Sequence, residues 1–98
     1  MGLESEKIVG EVERALSSPG KLKILKLLMK QPDHAFTRYE IGKTISLRPT
    51  DIKKDLTILV ETGWVKELKI QHLQKYSINT DNALAKQFTD FFKRIRYI

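Results

Sequence analysis

Apolar residues recur at intervals of three and four along the first part of the chain. Ile8, Val9, Val12, Ala15 and Leu16 share one face of a predicted helix from about residue 4 to 17. Ser17-Ser18-Pro19-Gly20 interrupts that pattern. Ser18 offers an acceptor to the free amides of a new first turn and Pro19 suits the first helical position, so a second helix is predicted to start there. Its inward face is Leu22, Leu25, Leu28 and Met29, flanked by Ile24 and Leu27, with Lys23, Lys26 and Lys30 outside. Gln31-Pro32-Asp33 ends it.

Phe36 reads as a short extended residue, and Thr37 and Glu40 stand three apart as a capping box opening a short third helix with Ile41 and Ile45 inward. Ser46-Leu47-Arg48-Pro49 separates it from a fourth helix reaching about Thr62. There Ile52, Leu56 and Leu59 form the inner face, and Thr50, Lys53, Lys54, Thr57 and Glu61 project the other way. Gly63 is the natural left-handed stop. Trp64 to Ile70 and Gln74 to Asn79 then read as a hairpin joined by Gln71-His72-Leu73. Val65 and Leu68 have opposite parity, which predicts a bulge or twist in the first strand. A last helix, about residues 80 to 98, opens at Thr80 or Asp81. It carries Leu84, Phe88, Phe91, Ile95 and Ile98 at alternating spacings of four and three, with Ala85 and Phe92 beside them. Trp64 is expected in the core.

The fold class implied is mainly α with one β-hairpin. Helix, helix, helix, turn, helix, hairpin, helix is the order of a winged helix-turn-helix domain. With 98 residues the chain has room for one such domain, residues 1–98, and a thin core.

Charge narrows the function. The first 20 residues carry four acids and two bases, whereas residues 21–80 carry twelve bases and six acids, and the whole chain is at +6. A basic surplus in mid-chain points to an anionic polymer as partner. The sequence has no cysteine and only two histidines, His34 and His72, far apart. A metal site is therefore not expected, nor a cofactor or thiol chemistry. No base and nucleophile pair stands at an interpretable spacing, so the chain is not read as an enzyme. The charged N-terminus and the lack of a long apolar run predict a soluble, cytoplasmic protein with no membrane partner.

Two stretches carry a family resemblance. LSSPGKLKILKLL (Leu16 to Leu28) is similar to the second-helix signature of ArsR-type bacterial and archaeal repressors. TRYEIGKTISLRPTDIKKDLTILVETGWV (Thr37 to Val65) resembles their run of capped helix, turn, recognition helix and Gly-apolar-Val step into the wing. The resemblance implies a homodimeric transcriptional regulator of double-stranded DNA. Three departures stand out: the cysteine and histidine clusters of metal-sensing members are absent, Arg48 replaces the usual Ser or Thr cap of the recognition helix, and the wing lacks a tip glycine.

On this reading Thr50, Lys53, Lys54 and Thr57 face the major groove, and Arg48 serves a phosphate or base edge. Lys66, Lys69, Gln71, His72, Gln74 and Lys75 on the wing position the protein on the backbone. Arg38 and Lys43 on the third helix brace the opposite backbone, while Tyr39 is expected to be partly buried. The first and last helices supply a dimer interface from Ile8, Val12, Leu84, Phe88, Phe91, Phe92, Ile95 and Ile98. The alternatives are a protein-interaction module, which a neutral or acidic recognition face would favour, and a nonspecific nucleic-acid-binding winged-helix module. Operator and any small-molecule effector stay open.

Overall fold

Ser18 accepts a hydrogen bond from the Lys21 amide at 3.2 Å, and with Pro19 in the first turn it opens helix α2 (Pro19–Lys30) as predicted. The structure, a computed structural model, describes residues 3–98 and side chains from residue 6. Before α2 lies α1 (Leu3–Ala15); after it come β1 (Phe36–Thr37), α3 (Arg38–Thr44), α4 (Pro49–Glu61), β2 (Val65–Ile70), β3 (Leu73–Ile78) and α5 (Ala83–Arg94). The expected order is present throughout, and the arrangement is a winged helix-turn-helix.

Helix α2 is buried over a wider arc than its periodicity suggested. Ile24, Leu25, Leu28 and Met29 are fully enclosed, while Leu22 is only half-buried. Against α2 pack Ile41 of α3 and Ile52, Leu56 and Leu59 of α4. The capping box of α3 is closed in both directions: Thr37 Oγ1 accepts from the Glu40 amide at 3.1 Å, and Glu40 Oε1 accepts from the Thr37 amide at 2.9 Å. Trp64 is fully buried, as expected, and its Nε1 donates to Glu11 Oε1 of α1 at 2.7 Å. A buried indole thus has its polar edge satisfied.

The first helix stops at Ala15 rather than residue 17. Its outer half is not covered: Ile8 and Val9 are about half exposed, and only Val12, Ala15 and Leu16 reach the core.

The wing departs from expectation in two ways. Its connection is two residues, Gln71 and His72, with φ of 48° and 70°, so β3 begins at Leu73. Two consecutive left-handed residues match the twist of a tight hairpin, which is why no third residue is needed. Pairing runs unbroken from Val65↔Ile78 to Ile70↔Leu73, without a bulge. The parity conflict is resolved by burial: Val65 faces the core, and Leu68 points away from it and is exposed. Phe36 pairs with Tyr76 and Thr37 with Lys75, so β1 joins the hairpin in a three-stranded antiparallel sheet ordered β1-β3-β2.

Helix α5 is shorter at both ends than predicted. Asn82, not Thr80 or Asp81, caps it, its Oδ1 accepting from the Ala85 amide at 2.9 Å. At the other end Arg96 turns left-handed at φ 62°, and the Tyr97 amide donates back to the Phe92 carbonyl at 2.8 Å. The tail therefore folds over its own domain. Tyr97 meets the Phe92 ring edge-on at 5.1 Å, beneath Lys26 Nζ at 4.6 Å. The four-three spacing ends with the helix, so Ile98 packs against the domain's core.

Candidate nucleic-acid interface

Burial of Ile52, Leu56 and Leu59 against α2 fixes the rotation of α4, and that alone determines what the helix shows to solvent. Thr50, Lys53, Lys54 and Thr57 are all exposed on its outer face. Thr57 Oγ1 donates to the Lys53 carbonyl at 2.8 Å, so its donor is engaged and what it offers a partner is a methyl group and an acceptor. Arg48 occupies the N-cap position without a side-chain cap. Its Nε instead donates to Asp51 Oδ2 at 3.0 Å, one turn into the helix, while the side chain stays 82% exposed. Pro49, lacking an N–H, leaves one fewer amide to cap.

The structure divides the six wing residues. Lys69 and Gln74 lie opposite each other in register, and Gln74 Nε2 donates to Glu67 Oε1 at 2.7 Å. Lys66 and Lys75 belong to the other face by strand alternation. Lys66 is tied to Asp81 at 3.0 Å, at the base of the wing, and is held away from the tip. Lys75 is half-buried between Leu68 and Thr37. Gln71 and His72 form the turn itself and are exposed.

Helix α3 connects the two halves of the surface. A cleft of about 470 Å³ between its first turn and the wing tip brings Arg38 together with Lys69, His72 and Gln74. A groove of about 630 Å³ on its other side brings Arg38 and Lys43 together with Thr50 and Lys53 of α4. Lys54 and Thr57 continue along α4 beyond that groove. Tyr39 stands between the two depressions and is 74% exposed, which overturns its expected partial burial: two residues before Ile41, the buried residue of α3, it lies on the opposite face of that helix. Lys43 Nζ lies 5.6 Å from its ring.

The acidic partners Asp51, Glu67 and Asp81 went unnoticed in the sequence. Arg48 and Asp51 stand three apart at a helix start, a spacing that announces such a pair; Lys66 and Asp81 have no local signal. The Glu40 carboxyl on this surface is held below the ordinary carboxylate range, chiefly by the hydrogen bond from the Thr37 backbone.

The apolar residues predicted for a second-subunit contact separate into two groups. Ile8, Phe91 and Ile95 are exposed, together with Val9. Val12, Leu84 and Phe88 are partly buried against the core, and Phe92 and Ile98 belong to the domain's own packing. Phe88 lies 5.3 Å from Trp64 and 5.9 Å from Phe92, ring centre to ring centre. No helix among the described residues is long and apolar enough to cross a membrane.

The chain is similar in structure to HlyU from Vibrio cholerae, with a TM-score of 0.80 and 21% identity over 97% of each chain. It is also similar to the transcriptional repressor PagR of Bacillus anthracis, with a TM-score of 0.77 and 19% identity over 92% of this chain and 97% of that one. A third similar structure is the homodimeric winged helix-turn-helix DNA-binding domain of Mb0332 from Mycobacterium bovis, a possible ArsR-family transcriptional regulator. Its TM-score is 0.72, at 18% identity over 98% of this chain and 87% of that one. No family model and no curated protein matches the sequence. These likenesses establish the winged helix-turn-helix fold.

Proposed function

We propose that this protein is a sequence-specific, double-stranded-DNA-binding transcriptional regulator of the ArsR type, acting as a homodimer. The observation that carries the reading is the outer face of α4. Four side chains able to meet base edges and phosphates are aimed outward by a helix whose opposite face is locked into the core. Lysine donates to guanine O6 and N7, and a threonine methyl touches the thymine methyl, so Thr50, Lys53, Lys54 and Thr57 are assigned base readout. Arg38, Lys43, Lys69, Gln71, His72 and Gln74 flank them as positioning contacts to the backbone, with Arg48, Lys66 and Lys75 in lesser roles because they are paired or partly covered.

Exposed Ile8, Val9, Phe91 and Ile95 on α1 and α5 support self-association through those two helices, with Val12, Leu84 and Phe88 beneath them. Among the structural relatives, PagR is a transcriptional repressor and the Mb0332 domain is homodimeric and DNA-binding, which supports a reading of regulation, DNA binding and self-association here. A dimer of this kind places two recognition helices about 34 Å apart, on half-sites one helical turn apart.

Selection of bound duplexes from random DNA, performed at about 50 and 200 mM salt, tests the proposal. The expected product is an inverted repeat with that half-site spacing. Enrichment of no sequence at either salt concentration overturns the specific reading.

A further inference from the structure

The groove between α3 and α4 has chemistry that a nucleic-acid backbone does not use. Its floor is apolar, formed by Leu47, Pro49 and Ile52, and the Tyr39 ring makes one wall. Gly42 lies beneath the opening, where a Cβ would approach Ile52 Cδ1 to 3.3 Å; the missing side chain keeps the two helices close and the floor clear. Around the rim stand Arg38, Lys43 and Lys53, and none of the three is in an ion pair among the described residues. Phosphates are met by the rim alone. The recess below it, within the roughly 300–1,000 Å³ typical of small-molecule sites at about 630 Å³, would be left unfilled.

We propose that this groove binds a small amphipathic monoanion, an aromatic or aliphatic carboxylate, and that its occupancy excludes DNA. The apolar body lies on Leu47, Pro49 and Ile52 against the face of Tyr39, and the carboxylate meets the cationic rim through charge-assisted hydrogen bonds. Thr50 and Lys53 line the same groove, so ligand and duplex compete for them. Release of DNA then needs no change of fold, because the effector occupies part of the reading surface itself. The exclusion of DNA rests on the regulator reading above; binding of the anion does not.

The test uses the full-length protein, isotopically labelled and free of DNA, titrated with 2-naphthoate and with neutral 2-naphthamide. Saturable amide shifts are expected at Tyr39, Gly42, Thr50 and Lys53, with naphthoate bound about tenfold more tightly or better, as charge-assisted bonds to the rim require. Tyr39→Ser and Lys43→Gln, both on exposed side chains, each weaken naphthoate binding several-fold while leaving the remaining spectrum folded. In a second arm, naphthoate at 100 times its dissociation constant raises the apparent Kd for a selected duplex by about 100-fold for each groove that the duplex must find empty. Equal binding of the amide, shifts centred on Phe91 instead, or no saturable shift overturns the site. Simultaneous binding of naphthoate and duplex overturns the exclusion. A protein that binds no duplex removes the regulator reading, and the first arm still decides the groove.

Discussion

Lys21 Nζ of α2 lies 3.6 Å from Asp55 Oδ1 of α4, and the two side chains are only 7% and 11% exposed. The ammonium also donates to Ser17 Oγ at 3.0 Å and to Ser18 Oγ at 3.4 Å, so the charge is satisfied on both sides. Asp55 faces inward beside Leu56 on α4, and a Cβ added at Gly20 would collide with its carboxylate. The ion pair therefore sits where α2 and α4 lie close together. Removing one member leaves a buried charge without its counter-ion, which costs about 3–5 kcal/mol. Asp55→Ala is expected to lose stability in that range in urea unfolding. The double change Lys21→Met with Asp55→Leu is expected to recover most of it, since a well-packed apolar pair is often neutral or better.

On the proposed reading, base readout and backbone positioning are separable by mutation. Lys53→Ala or Lys54→Ala should cost about 1–3 kcal/mol on the selected site and much less on random duplex. Lys69→Ala should instead weaken all sequences alike and reduce the salt slope by about 1. Lys75→Ala is expected to act in the same direction but less, because Lys75 is partly covered. Equal losses on specific and random DNA for both α4 lysines would reassign them to phosphate.

Self-association can be probed without touching the core. Phe91→Glu with Ile95→Glu alters two exposed side chains, so light scattering at tens of micromolar should show a monomer with unchanged helical circular dichroism. Phe92→Ala, on the same helix, should cost about 3–5 kcal/mol of stability because that ring is buried. A wild-type monomer under those conditions removes the dimer.

Glu40 gives a pH dependence whose sign follows from its hydrogen bonds. Its folded-state pKa is depressed, chiefly by the Thr37 backbone donor and then aided by the Thr37 hydroxyl and by His34 and Lys75. Such a carboxylate contributes stability above its unfolded pKa and loses it as the pH falls through the lower folded value. The stability difference between wild type and Glu40→Gln should therefore be constant near neutrality and shrink on acidification below about pH 4. Carbon-detected titration of the Glu40 carboxylate, giving a midpoint below the ordinary glutamate range, checks the premise.

Local signals were readable where the physics is local. Ser18 before Pro19, the Thr37 and Glu40 box, and the Ile52, Leu56, Leu59 stripe each involve residues within two turns, and each appears in the structure as expected. The candidate DNA residues on α4 were exposed for the same reason: one inner stripe dictates the outer one. What escaped notice depends on distant parts of the chain. Glu11 Oε1 accepts from Trp64, 53 residues away, and from Asn82, 71 residues away. No spacing rule reports such a contact. Nothing near Lys21 in the sequence announces its burial, because its partner Asp55 lies on another helix. Ile98 continued a heptad-like rhythm on paper, but a left-handed Arg96 ended the helix first. Leu68 suggested a bulge because an apolar strand residue was expected to be buried, whereas the ladder is regular and the side chain is simply exposed.

The two-residue wing tip places Gln71 and His72 in a backbone region that costs an ordinary L-residue roughly 1–2 kcal/mol and that glycine or asparagine enters more cheaply. Asn-Gly would make the same turn with less strain. On the proposed reading the tip is thus a place where robustness and recognition pull against each other: the replacement that most relaxes the hairpin also shortens the side-chain amide at position 71 and removes the imidazole of His72. Thermal tolerance gained there would be gained at the expense of grip, and a search for hardier variants that scored only melting temperature would drift toward a blunt wing.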